Sequence, residues 1–396
     1  MTGDANDETH EDTNGSPDER RARRIAAWNG ARRRLSEGLP AGTIAGRLAR
    51  LAEEGAAVHD LESGPDLYGD GIVAELEERT AALLGTEAAA FFPTGTMAQQ
   101  VALRCWAGRT GSPVVALHPM AHPERHERGA LGRVSGLGTV HLTDEPRPPT
   151  AEEVREASEP FGALLLELPL RDAGFVLPTW DELKETVAAA RERDAVVHFD
   201  GARLWECAPH FGRTLPEIAA LADSVYVSFY KSLGGLSGAA LAGPADFVDE
   251  ACAWRHRYGG QVFQQWPAAL AALVGLEREL PRLPEYAAHA KVVAGALRAG
   301  LAEAGVPWFR VHPEEPHTHQ FQVWLPYDAE ALTEAGVRQA EEEGTALFRV
   351  WSAPGPPGLA MTEVTVAAPG LEWAPEDVRG ALAAFLARVP ARGRSD

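Results

Sequence analysis

AVVHFDGARLW (195–205) and SVYVSFYKSLGG (224–235) are the two stretches that decide the fold of this 396-residue chain. Each begins as an apolar, β-rich run and ends by delivering one charged residue into a turn that contains glycine. The first delivers Asp200 and the second Lys231, 31 residues later. Open α/β sheets present their ligand-binding groups at the carboxyl ends of strands, so this pattern places both side chains at one edge. An acid and an amine offered together suit pyridoxal phosphate. The lysine forms a Schiff base with the cofactor carbonyl, and the aspartate keeps the pyridine nitrogen protonated. A lysine entering a buried pocket holds its proton less tightly, as that chemistry requires. Lys231 is one of three lysines in a chain with 34 arginines, which weighs against a filler role.

Upstream, AAAFFPTGTMAQQVAL (88–103) runs strand, small turn, helix. The turn Pro93-Thr94-Gly95-Thr96 brings small residues, hydroxyls and unpaired helix N–H groups to a positive dipole end, an arrangement that binds phosphate. Threonine is also an ordinary N-cap, so Gly95 and Thr96 gain their weight from Lys231 downstream.

Strand and helix patterns alternate outward from these pieces. Helices are predicted at 71–85, 97–106 and 181–193, and strands at 87–92, 113–118, 161–169 and 195–200. Such alternation predicts a large α/β domain over 61–275, a mostly parallel seven-stranded sheet with helices on both faces. Beyond 276 the pattern becomes a smaller α+β domain. It has a long helix at 285–305, strands near 307–311, 319–325, 346–351 and 362–366, and helices at 328–342 and 375–388. Residues 1–19 carry seven acids and no lysine or arginine, which predicts a disordered tail. Residues 20–60 predict a helical arm broken near Gly38-Leu39-Pro40. Its arginines at 20–24 and 32–34 form a solvated face or an oligomer contact.

A net charge of −20 argues against nucleic-acid or anionic-membrane partners. No apolar run reaches the length of a membrane span, and the acidic N-terminus does not read as a signal peptide. Three scattered cysteines fit a reducing cytoplasm. His118, His122, His126 and His141 cluster loosely, but their spacing contains prolines and no cysteine supports a metal site. An imidazole stacked on an aromatic cofactor is the better use for His122.

These residues resemble the threonine aldolase group of the beta-eliminating lyase superfamily, pyridoxal phosphate enzymes of the aspartate-aminotransferase-like fold. The resemblance is carried by LYGDGIVAELEERTAALLGTEAAAFFPTGTMAQQVAL (67–103) and by the Asp200–Lys231 spacing, and extends to about Gly260. It implies that Lys231 is the Schiff-base lysine, Asp200 the ring-nitrogen partner, Gly95 and Thr96 the phosphate turn, and His122 the stacking histidine. It implies that Arg203 helps hold the substrate carboxylate and that Arg255 lies at the cofactor end of the pocket. It also implies a homodimer or homotetramer with active sites at subunit boundaries, the arm being a candidate for that contact. The implied reaction cleaves a β-hydroxy-α-amino acid to glycine and an aldehyde.

The substrate half departs from the family pattern. Glu167-Leu168-Pro169-Leu170-Arg171 stands where an Asn-Thr-His run is usual, so the histidine that assists the β-hydroxyl is missing and Arg171 or a water takes its place. No arginine lies near Leu359–Met361, where a second carboxylate-binding arginine is expected; Arg349 is the nearest on the N-terminal side. Two other readings stay open on the sequence: a different pyridoxal phosphate reaction (β-elimination, racemisation or transamination), and a protein of this fold that binds without turnover.

Overall fold

The apolar run at 163–167 is buried on both faces: Leu164 and Leu166 enter one core, Ala163 and Leu165 another. Two-sided burial of this kind is what a central strand between helical layers requires. The chain is described here by a computed structural model covering residues 16–36 and 43–390. The strands are β1 (Ala88–Phe92), β2 (Val114–Leu117), β3 (Gly138–His141), β4 (Ala163–Glu167), β5 (Val196–Gly201), β6 (Ser224–Ser228) and β7 (Ala239–Gly243). They form one sheet in the order β1-β7-β6-β5-β4-β2-β3. Only β7 runs antiparallel to its neighbours, so the sheet is mostly parallel, as expected. The sequence reading assigned neither β3 nor β7. GTVH is a largely exposed edge strand, and AALAG lacks the β-branched and aromatic residues that mark strands.

The sheet fixes the helix that follows β1. Thr94 caps Gly95–Thr110 by accepting from the Met97 N–H. A buried polar chain then ties that helix to β5 and β6. Trp106 Nε1 donates to Ser224 Oγ at 2.7 Å, Ser224 Oγ meets His198 Nδ1 at 2.7 Å, and His198 Nε2 meets Gln99 Oε1 at 2.8 Å. Burial pushes the His198 pKa down to about 3, so the ring is neutral, accepting at Nδ1 and donating at Nε2. Trp106, Ser224 and His198 are paired throughout, and only the Gln99 Nε2 is left without a partner among the described residues.

The C-terminal part has a three-stranded antiparallel sheet: β8 (Arg310–His312), β9 (Gln320–Leu325) and β10 (Ala360–Thr365), in the order β10-β9-β8. Helices Leu283–Glu303, Ala329–Glu343 and Pro375–Leu386 supply its core with Leu297, Leu332 and Phe385 around Phe321 and Val323. The strand expected at 346–351 shrinks to Thr345–Ala346, which pairs in parallel with Arg33–Arg34. Leu347, Phe348 and Trp351 are buried, but the chain leaves the sheet: Trp351 N–H donates to Thr333 Oγ1 at 3.0 Å. Burial produced the apolar signal there without a strand.

One expectation for the N-terminal region changes, and another gains detail. Residues 1–15 and the expected break at 38–40 lie outside the described residues. Residues 17–19, assigned to the tail, open the helix Pro17–Gly30; Ser16 and Glu19 close a capping box, and Pro17 takes the first helical position. Several of these arginines, though solvent-exposed, find partners within the chain. Arg23 hydrogen-bonds Glu334 and Glu341, and Arg33 pairs with Asp377 at 2.7 Å. Ala27 and Trp28 pack beside Val337 and Ala340 on the Ala329–Glu343 helix, whereas Ile44–Gly55 meets Trp266–Arg278, with Gly55 against Leu270. The two helices of the arm therefore dock on different parts of the molecule.

Apolar contact, not charge, should hold the first helix. Trp28→Ala is expected to cost about 3 kcal/mol, and Arg23→Ala under about 1 kcal/mol because its partners are exposed. Urea unfolding of both variants measures the difference; equal losses would contradict it.

Candidate active site

Parallel pairing of β4 with β5 and β5 with β6 brings their carboxyl ends to one edge. Glu167 stands opposite Asp200, and Asp200 opposite Tyr226. Lys231 follows β6 by three residues, in the turn the sequence predicted. Its amine lies 4.7 Å from the centre of the Tyr230 ring. Burial lowers its pKa to about 8; the positive charges of Arg203 and Arg171 push the same way, and the acids Asp200 and Glu363 oppose them. Five charged groups therefore share one electrostatic site.

Asp200 is 1 % exposed and accepts a 3.2 Å hydrogen bond from the Ala202 N–H. Burial raises its pKa to about 7, Glu127 adds to the rise, and Arg203 and Lys231 draw it down. Glu167 is raised further, to about 8, by burial and then by Asp200. It accepts from the backbone N–H groups of His122 at 2.7 Å and Arg171 at 3.2 Å, and so pins both segments to the end of β4. The His122 ring lies 3.5 Å from Glu127 Oε1, while Gln100 Nε2 donates to Glu127 Oε2 at 3.0 Å. The other histidines scatter to separate partners: His118 to the Glu145 carbonyl, His126 to Asp172, His141 to Glu124.

Arg203 stacks 5.3 Å from the Phe175 ring, and Arg171 donates to Glu363 Oε2 at 2.9 Å. The Nε atoms of both arginines are buried without a hydrogen-bond partner in the protein. Arg349 sits over Trp28, and burial lowers its pKa against the pull of Glu363. Arg255 is outside this group. It donates to Glu77 at 3.0 Å and to the Phe91 carbonyl at 2.5 Å, just ahead of the Pro93–Thr96 turn. Gly95 begins the helix there, and a Cβ on it would collide with the Tyr226 hydroxyl. Thr96 lies in the first turn of the same helix.

These residues fit pyridoxal phosphate. A buried carboxyl already drawn toward its neutral form gains an ion-pair partner in a pyridinium N–H. The amine of Lys231 is half-deprotonated near pH 8, and the partnerless guanidinium atoms of Arg171 and Arg203 can receive carboxylate oxygens.

Residues 53–320 match the beta-eliminating lyase family over most of the chain's length. The chain belongs to the beta-eliminating lyase family. Among curated beta-eliminating lyase relatives, the low specificity L-threonine aldolase of Escherichia coli (strain K12) is 33 % identical over 247 residues, 61 % of this chain and 73 % of that protein. A Listeria monocytogenes EGD-E protein described as a candidate L-allo-threonine aldolase superposes with a TM-score of 0.83 at 31 % identity, covering 93 % of this chain and 99 % of its own. An Exiguobacterium sp. 255-15 structure, a candidate aromatic amino acid beta-eliminating lyase/threonine aldolase, also reaches 0.83, at 34 % identity with 92 % and 99 % covered.

The sequence reading of this beta-eliminating lyase missed Glu363, Glu206 and His319. Glu363 had a weak signal, an acid inside the otherwise uncharged strand AMTEVT; the other two become visible only when β9 meets the turn after β5. In cofactor-free protein, reductive alkylation of Lys231 should have its midpoint near pH 8, against about 10.4 for an ordinary lysine. Arg203→Gln removes a repelling cation and should move that midpoint up. Peptide mass spectrometry across a pH series reads both, and an unmoved midpoint would contradict the assignment.

Proposed function

We propose that this chain is a pyridoxal-phosphate-dependent carbon–carbon lyase that cleaves a β-hydroxy-α-amino acid to glycine and an aldehyde. The observation that carries the reading is Lys231: a partly buried amine with a lowered pKa, on which the charges of Arg203, Arg171, Asp200 and Glu363 act. The threonine aldolase names of the relatives support the substrate class.

Bound pyridoxal phosphate supplies an electron sink for the charge that develops at the substrate Cα. Lys231 Nζ is the amine that holds the cofactor carbonyl, and Asp200 keeps the ring nitrogen protonated. Gly95 and Thr96 take the phosphate on the helix N-terminus, with Arg255 bracing the turn from behind. His122 covers the ring. Arg203 receives the α-carboxylate, and Arg349 supports the same side by steadying Glu363.

Arg171 does not itself remove a proton, because a guanidinium stays protonated at working pH. It orients Glu363 through a hydrogen bond, and Glu363 takes the β-hydroxyl proton in place of the histidine that Leu168–Arg171 lacks. Glu363 Oε2 carries the Arg171 hydrogen bond, and no described residue donates to Oε1, which leaves it to the substrate. A homodimer or homotetramer in the cytoplasm is part of the proposal. The free cysteines and the exposed Tyr68–Phe263 pair, ring centres 5.3 Å apart, support it.

A panel of D- and L-β-hydroxy-α-amino acids, with trapping of the aldehyde and assay of glycine, tests this function. Equal amounts of both products are expected; ammonia with a keto acid would mean a different reaction. Glu363→Gln should lower kcat by roughly 10²-fold or more with little change in KM. Unchanged turnover would move the base elsewhere.

A further inference from the structure

A second buried acid lies beside the lysine turn, and it belongs to none of the roles above. Glu206, 0 % exposed, ends the short helical turn that follows β5. Its Oε2 accepts a 2.6 Å hydrogen bond from His319 Nε2, and the Ser232 hydroxyl donates to the same oxygen. Ser232 is the residue directly after Lys231. His319, 2 % exposed, leads into β9, and its Nδ1 lies 2.6 Å from the Val366 carbonyl beyond β10. Both ring nitrogens therefore face acceptors, and the ring must donate from both, which makes it an imidazolium. Burial opposes that charge, but the Glu206 carboxylate and the Val366 carbonyl outweigh it and raise the pKa. The Tyr286 ring covers His319 with centroids 6.0 Å apart.

A buried ion pair is poor value as a source of stability alone, since desolvation offsets much of its attraction. This one bridges the large sheet and the C-terminal sheet and ends on the hydroxyl adjacent to the reactive amine. We propose that the Glu206–His319 pair is a positioning element for Lys231: by holding Ser232 it sets the direction and solvation of the neighbouring amine, and it makes that setting depend on the docking of the C-terminal sheet. The charged groups around the amine are Arg203, Arg171, Asp200 and Glu363, and those facing the imidazole are Glu206 and Arg203. The link to the lysine is thus mechanical, through Ser232, rather than a direct charge effect of Glu206.

The inference rests on the proposed cofactor chemistry, and its test separates the two. Holoenzyme of wild type, Ser232→Ala, Ser232→Thr and His319→Gln is titrated with pH while the visible band of the lysine-bound cofactor is followed, and thermal unfolding is recorded alongside. A loosened turn lets water reach the amine. Ser232→Ala and His319→Gln should therefore shift the midpoint upward, a proton-affinity increase of roughly threefold or more, while Ser232→Thr keeps the hydroxyl and the wild-type midpoint. Ser232→Ala leaves the buried pair in place, so it reports on positioning even where His319→Gln unfolds. Wild-type midpoints in every folded variant, whatever their thermal stability, would overturn the inference. A wild type without any cofactor band would refute the proposed function; the pH midpoint of Lys231 alkylation in the same four proteins then decides the inference by the same criterion.

Discussion

Parallel pairing of β4, β5 and β6 places Glu167, Asp200 and, one turn further, Lys231 at the same buried edge of a seven-stranded sheet. An acid and an amine removed from water in this way hold their charges weakly: burial drives Asp200 up to about 7 and Lys231 down to about 8. Groups with pKa values drawn toward neutrality are costly for folding and useful for proton chemistry. The rest of the molecule can be understood as what keeps that edge assembled and what surrounds it with the complementary charges.

Two polar networks do the assembling. The chain of Trp106, Ser224, His198 and Gln99 joins the Gly95–Thr110 helix to β5 and β6, so the Pro93–Thr96 turn and the acid cannot drift apart. On the opposite side, Glu206 and His319 join the turn after β5 to the C-terminal sheet. The substrate side we propose is built from Arg203 after β5, Arg171 from the segment after β4, and Glu363 of β10. A working site thus draws on both parts of the chain, and changes in their docking reach the chemistry.

The cofactor half of the proposed site could be read from the sequence because each of its elements is local. Asp200 and Lys231 each end a strand, and Gly95 starts a helix, so periodicity and turn chemistry suffice to find them. Glu363, Glu206 and His319 were not legible, since their meaning comes from contacts across more than a hundred residues of sequence, between elements whose docking no local pattern encodes. The strand AALAG (239–243) escaped notice for a different reason: small residues suit a strand packed closely between β1 and β6 but carry no strand propensity. The arginines at 20–24 and 32–34 were read by composition as a solvated face or an oligomer contact; the pairing of Arg23 and Arg33 with Glu334, Glu341 and Asp377 joins distant parts of the chain and has no local signal.

The central claim is that one amine, at position 231, holds the cofactor opposite Asp200. Borohydride reduction of the purified protein followed by peptide mapping tests it directly, because it converts that bond into a permanent mark. A phosphopyridoxyl group on Lys231 alone is the result this account predicts. A mark on Lys184 or Lys291 in its place, or no mark after incubation with pyridoxal phosphate, would contradict it.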